Sequence, residues 1–142
     1  MMTANEYRKI AYSSKYHSHK TECSHGHVHD SRTEANRCNV LHQLQQMKKI
    51  SGLETQKKYV LIPAQRAKGE GFYTKGKNKG KPKPGKVIEK ECAYYADFVY
   101  YKDGELIVED VKGMKKGGAY ELYKIKRKLM LERYGIRITE IK

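Results

Sequence analysis

Between residues 31 and 49, Ala35, Cys38, Leu41, Leu44 and Met47 recur at three- and four-residue steps among polar neighbours. That spacing puts them on one face of a helix. Ser31 followed by Glu34 makes a capping box at its start, and Gly52 lies beyond its end, so a helix is predicted over about 32–49. The stretch LETQKKYVLIPA (53–64) gathers β-branched and aromatic residues and stops at Pro63, as a strand does. VIEKECAYYADFVYY (87–101) reads as one long strand. LIVEDVK (106–112) reads as its return after an Asp103-Gly104 turn. In AYELYKIKRKLMLERYG helical spacing resumes, with Leu122, Ile125, Leu129 and Tyr120 as the expected apolar face and Gly135 as cap. IRITEI closes as a strand. Helix, three strands, helix, strand is the order of an α/β sandwich around a mixed sheet.

The pattern lapses in two places. Residues 1–20 are polar and basic without a period and are expected to be a flexible N-terminal arm. Residues 68–86 carry seven lysines, five glycines and two prolines against one acid. Little there can bury surface, so a mobile loop is expected. The remaining chain, 21–142, is long enough for a single domain with one core.

Charge narrows the function. Thirty Lys and Arg against sixteen Asp and Glu leave a formal charge of +14, which favours a polyanionic partner, nucleic acid above all. No apolar run approaches membrane-spanning length, and no hydrophobic signal segment stands at the N-terminus. Three cysteines, Cys23, Cys38 and Cys92, make an odd count without a disulfide framework. A reduced, cytoplasmic protein with no membrane partner is expected.

The chemistry lies in the strands. VEDVKG (108–113) sets Glu109, Asp110 and Lys112 in an apolar strand, where charge is costly. Alternation sends Asp110 and Lys112 to one side and Glu109 to the other. Asp97, on the preceding strand, comes across the hairpin toward Asp110. Such carboxylates can hold a hard cation such as Mg²⁺. A cation there would polarise a phosphodiester and activate water, with a lysine beside it to orient that water or stabilise developing charge.

With these residues in place, ADFVYYKDGELIVEDVKG resembles the core of the PD-(D/E)xK nuclease superfamily, with Ala96 where that motif has its proline. DSRTEANRCNVLHQL resembles the first helix of these enzymes, and LETQKKYVLIP the strand that follows. Within that superfamily the chain resembles small phage-borne endonucleases long described only as a domain of unknown function. The resemblance spans residues 22 to about 140. It implies a restriction-endonuclease-like αβββαβ sandwich and a Mg²⁺- or Mn²⁺-dependent deoxyribonuclease. Asp97, Asp110 and Glu34 would hold the metal, with Lys112 and Gln56 completing the catalytic set. Glu109 is the rival of Asp110 as ligand; alternation relative to Lys112 favours Asp110.

The remaining candidates are supporting ones. Lys75, Lys77, Lys79, Lys81, Lys83 and Lys86 in the loop are expected to grip phosphates without reading sequence. Lys126 and Arg127, with Lys124, Lys128 and Arg133, add a second basic surface. Cys23, His25, His27 and His29 stand two apart, as one face of an ideal strand would, with Cys38 nearby. They match no common zinc signature and Gly26 interrupts them, so a polar, partly exposed segment is expected there rather than Zn²⁺. The expected function is phage DNA endonuclease, on branched or structured DNA in the manner of a Holliday-junction resolvase, in recombination or packaging. It would act in the host cytoplasm. Two symmetric cuts would call for a homodimer, through the Tyr94–Tyr101 strand or the N-terminal arm. The alternative is a basic nucleic-acid-binding accessory protein without catalysis.

Overall fold

The computed structural model describes residues 19–113 and 115–142. The expected N-terminal arm lies almost wholly outside them. Strands β1 (Thr21–Glu22) and β2 (Val28–His29) form a small antiparallel hairpin ahead of helix α1 (Arg32–Gln46). Then come β3 (Ser51–Ile62), β4 (Gln65–Arg66), β5 (Val87–Glu89), β6 (Cys92–Lys102), β7 (Glu105–Val111), helix α2 (Gly118–Tyr134) and β8 (Thr139–Ile141). The central sheet has the order β3-β6-β7-β8. It is mixed, because β6 and β7 are antiparallel while β7 and β8 are parallel. Among the described residues the fold is thus α/β, with a four-stranded mixed sheet and two helices.

Two units can be described separately. The first holds the described residues up to Lys57, then Ala96–Lys115 and Ile138–Lys142. Its core gathers Ala35, Cys38 and Leu41 of α1 with Ile50, Phe98, Tyr100 and Val111. Those are the positions whose spacing predicted the helix. The Ser31 hydroxyl accepts the Glu34 N–H at 3.2 Å, as the capping box requires. The helix stops at Gln46 rather than 49, and Gly52 falls inside β3, at φ 64°. Asp103 and Gly104, at φ 51° and 78°, form the predicted β6–β7 turn.

The second unit, Lys58–Tyr95 with Lys116–Arg137, departs from expectation twice. The long strand over 87–101 is broken: β5 pairs with β4, and β6 begins afresh at Cys92. Helix α2 buries Tyr123 and Met130, leaving Leu122 and Ile125 about half exposed. Aromatic partners explain that choice, because Tyr94 packs 6.5 Å from Tyr123 and Tyr59 lies 5.4 Å from Tyr134. The lysine-rich segment between β4 and β5 is a loop, as expected, and carries a ladder of backbone bonds. Ala67 donates to Lys86, Lys83 to Gly71, Tyr73 to Lys81 and Gly80 to Tyr73. Its glycines serve that ladder: a Cβ on Gly85 would lie 1.7 Å from the Ala67 carbonyl oxygen, and one on Gly69 1.9 Å from that of Lys83. Only glycine permits so close a backbone approach.

Tyr94 and Tyr100 are buried, while Tyr95 and Tyr101 are half exposed. Among the described residues, no helix is long and apolar enough to cross a membrane.

Candidate functional site

Strand β7 enters the first unit buried on both faces, from Val108 to Val111. Its register with β6 sets Phe98 opposite Glu109 and Val99 opposite Val108. Directly opposite residues share a face, so Glu109 shares the face of Phe98, which belongs to the α1 core. Arg37 of α1 reaches it there, donating from Nε at 2.9 Å and from its terminal nitrogen to the other carboxylate oxygen. The Tyr100 hydroxyl donates to the same group. Glu109 is 1 % exposed, and this bidentate pairing is what makes its burial tolerable.

Asp110 points the other way. It is 4 % exposed, and Lys112 Nζ lies 2.8 Å from its Oδ1. Alternation along β7 thus sends the two acids apart: Glu109 pairs with Arg37, and Asp110 with Lys112. Across the hairpin, one step beyond the Phe98–Glu109 pair, stands Asp97. Its Oδ2 accepts the Val111 N–H at 2.8 Å and its Oδ1 accepts Gln56 Nε2 at 3.2 Å. Gln56 makes this contact from a backbone at φ 52°, a region unusual for a side chain of its size. Such conformations cluster where a side chain must be aimed.

Glu34, in the first turn of α1, completes the set. Burial first, then the charges of Asp97, Asp30 and Asp110, push its carboxyl up to about 7. Burial and then the charge of Asp110 push Asp97 up to about 6, against the pull of the Val111 N–H, Gln56 and Lys112. These shifts are the signature of negative charges crowded together and poorly hydrated. Such a set of hard oxygen donors favours a divalent cation. Glu34, Gln56, Asp97, Asp110 and Lys112 are thus gathered in one place from α1, β3, β6, β7 and the residue just beyond it.

The other candidates fall elsewhere. Lys75, Lys77, Lys79, Lys81, Lys83 and Lys86 belong to the second unit, as do Lys126 and Arg127 of α2. Arg127 lies 5.8 Å over the Tyr123 ring, and Lys124 pairs with Glu121 at 2.8 Å. Two surface clefts that share Lys49, Ile50 and Asp103 contain none of the predicted catalytic residues. Sequence reasoning missed Arg37. Its one signal was position: a cation on α1, one step from the apolar Cys38.

The protein belongs to a family of proteins of unknown function, DUF1064, whose profile matches residues 13–141. No curated protein and no solved structure matches it.

Proposed function

We propose that this DUF1064 protein is a divalent-metal-dependent DNA endonuclease with a restriction-endonuclease-like fold. One observation carries the reading: Glu34, Gln56, Asp97, Asp110 and Lys112 converge at one end of the β6–β7 hairpin. The raised Glu34 and Asp97 fit a cation site, because a bound cation would remove the repulsion that holds their protons on. Glu34, Asp97 and Asp110 are the residues to hold Mg²⁺ or Mn²⁺. When bound, such an ion polarises a phosphodiester and lowers the pKa of water.

The protein's own residues do the rest. Gln56 and the Val111 N–H hold the Asp97 carboxylate by its two oxygens, fixing its direction. Lys112, anchored on Asp110, supplies positive charge where negative charge develops on phosphate. Arg37 removes Glu109 from competition by holding it on the α1 side. The charge of +14 supports a polyanionic substrate. Lys75 through Lys86, Lys126 and Arg127 are the phosphate-gripping candidates. Branched or structured DNA is the substrate class, cut on both strands by a homodimer in phage recombination or packaging.

The test is to incubate purified protein with linear duplex, single-stranded, flap and four-way DNA, with Mg²⁺, Mn²⁺ or no added divalent ion. Metal-dependent cutting is expected, lost in Asp97→Ala and Asp110→Ala while DNA binding persists. Binding without cutting under every condition would favour the accessory-protein reading. Cutting at the wild-type rate by both variants would refute the site.

A further inference from the structure

The histidine-rich segment is not the single extended face that its spacing suggests. Gly26 takes φ 78°, and the chain turns back on itself. The Cys23 N–H donates to the His27 carbonyl at 2.9 Å, and the Gly26 N–H to the Cys23 carbonyl at 3.1 Å. β1 and β2 then pair, with Thr21 opposite His29. The turn puts Cys23 and His27 together at the hairpin end. Cys38, one turn along α1 from Glu34, approaches from the helix. His25 leaves the group and stacks on His42, with ring centroids 3.9 Å apart.

Four donors are left: the sulfurs of Cys23 and Cys38 and one ring nitrogen each of His27 and His29. All lie within 4.8 Å of one another. His27 Nδ1 is 3.7 Å from the Cys23 sulfur and 3.6 Å from that of Cys38. A tetrahedral zinc ion with ordinary Zn–S and Zn–N bonds sets sulfur and nitrogen about 3.6 Å apart. A thiol–imidazole hydrogen bond explains one of these contacts. It does not explain one nitrogen held equally close to two sulfurs.

Two further observations point to a ligand. His29 is 3 % exposed, and its Nε2 is buried without a hydrogen-bond partner. Leaving such a nitrogen unsatisfied is destabilising, which a metal bond would offset. The other ring nitrogen, Nδ1, lies 4.0 Å from Glu34 Oε2, as when a metal-bound histidine turns its free N–H toward a carboxylate.

We infer that Cys23, His27, His29 and Cys38 form a structural zinc site that fastens the β1–β2 hairpin to α1. Four protein donors, three of them buried, leave no open position for substrate, which is the mark of a structural rather than a catalytic ion. Two thiolates balance the charge of Zn²⁺, so the complex can sit in the core as a neutral unit, and binding releases the two thiol protons. Through His29 the ion would also steady Glu34. That last consequence rests on the nuclease reading; the zinc site does not.

The test measures metal on the full-length protein grown with zinc. One Zn²⁺ per chain is expected by elemental analysis, retained in Asp97→Asn/Asp110→Asn. Exchange with Co²⁺ should give the intense visible absorption of a tetrahedral thiolate–imidazole site. His27→Ala and Cys23→Ser should hold less than about a tenth of the wild-type zinc, whereas His25→Ala should keep all of it. If Cys23→Ser fails to fold, the cobalt spectrum of the unaltered protein still decides. Zinc well below one per chain without that spectrum would overturn the site. So would a Cys23–Cys38 disulfide seen by mass spectrometry, or zinc lost in the Asp97/Asp110 variant but kept in His27→Ala.

Discussion

Glu34→Gln removes a carboxylate that the fold holds against its preference. Its ordinary pKa is 4.5 and burial with nearby acids raises it to about 7. A raised carboxyl binds its proton more tightly in the folded than in the unfolded chain. Without a divalent ion, its contribution therefore weakens stability as pH rises from about 4.5 through 7, and the full cost is present above. At about 1.4 kcal/mol per pKa unit the cost is on the order of 3 kcal/mol, reduced to roughly 2 by the remaining exposure of the side chain. In a chain of this size that is a difference of roughly 5 °C in Tm. The assay is thermal unfolding of wild type and Glu34→Gln, desalted rather than chelated so that tightly held zinc stays in place. At pH 8 the variant should melt about 5 °C above wild type, and the gap should close by pH 5. Added Mg²⁺ or Mn²⁺ at pH 8 should raise the wild type more than the variant. A variant that melts lower than wild type at pH 8, or a gap independent of pH, would refute the crowded-carboxylate account.

Three other changes test separate features. Arg37→Met leaves Glu109 charged and buried, and should cost about 3–5 kcal/mol in urea unfolding; adding Glu109→Leu should restore much of it. Gln56→Gly relieves a positive φ but releases Asp97, so stability should hold within about 1 kcal/mol while DNA cutting falls steeply. A comparable fall in stability would instead mark Gln56 as a packing residue. Replacing the six lysines from Lys75 to Lys86 by glutamine should weaken binding to all DNA sequences alike. It should also flatten the slope of log affinity against log salt, and an unchanged slope would remove this segment from the interface.

What the sequence determined by itself was whatever depends on near neighbours. Helical spacing named Ala35, Cys38 and Leu41 as core, Ser31 as cap, and Asp103-Gly104 as a turn, since each is set within a few residues. Alternation sufficed to part Asp110 and Lys112 from Glu109, because a strand has only two faces. The tertiary structure decided what depends on partners far along the chain. Tyr59 and Tyr94 select which side of α2 is buried, against its more hydrophobic leucine and isoleucine. Arg37 is a surface cation by sequence and becomes the counter-ion of Glu109 once β7 lies beneath α1. The lysine-rich stretch, with only Phe72 and Tyr73 as large apolar residues, is organised by backbone bonds that composition does not reveal. Cys38 joins Cys23 only because a turn at Gly26 returns the chain to α1. Local pattern sets which way a side chain leaves the backbone, and only the packed chain sets what it meets there.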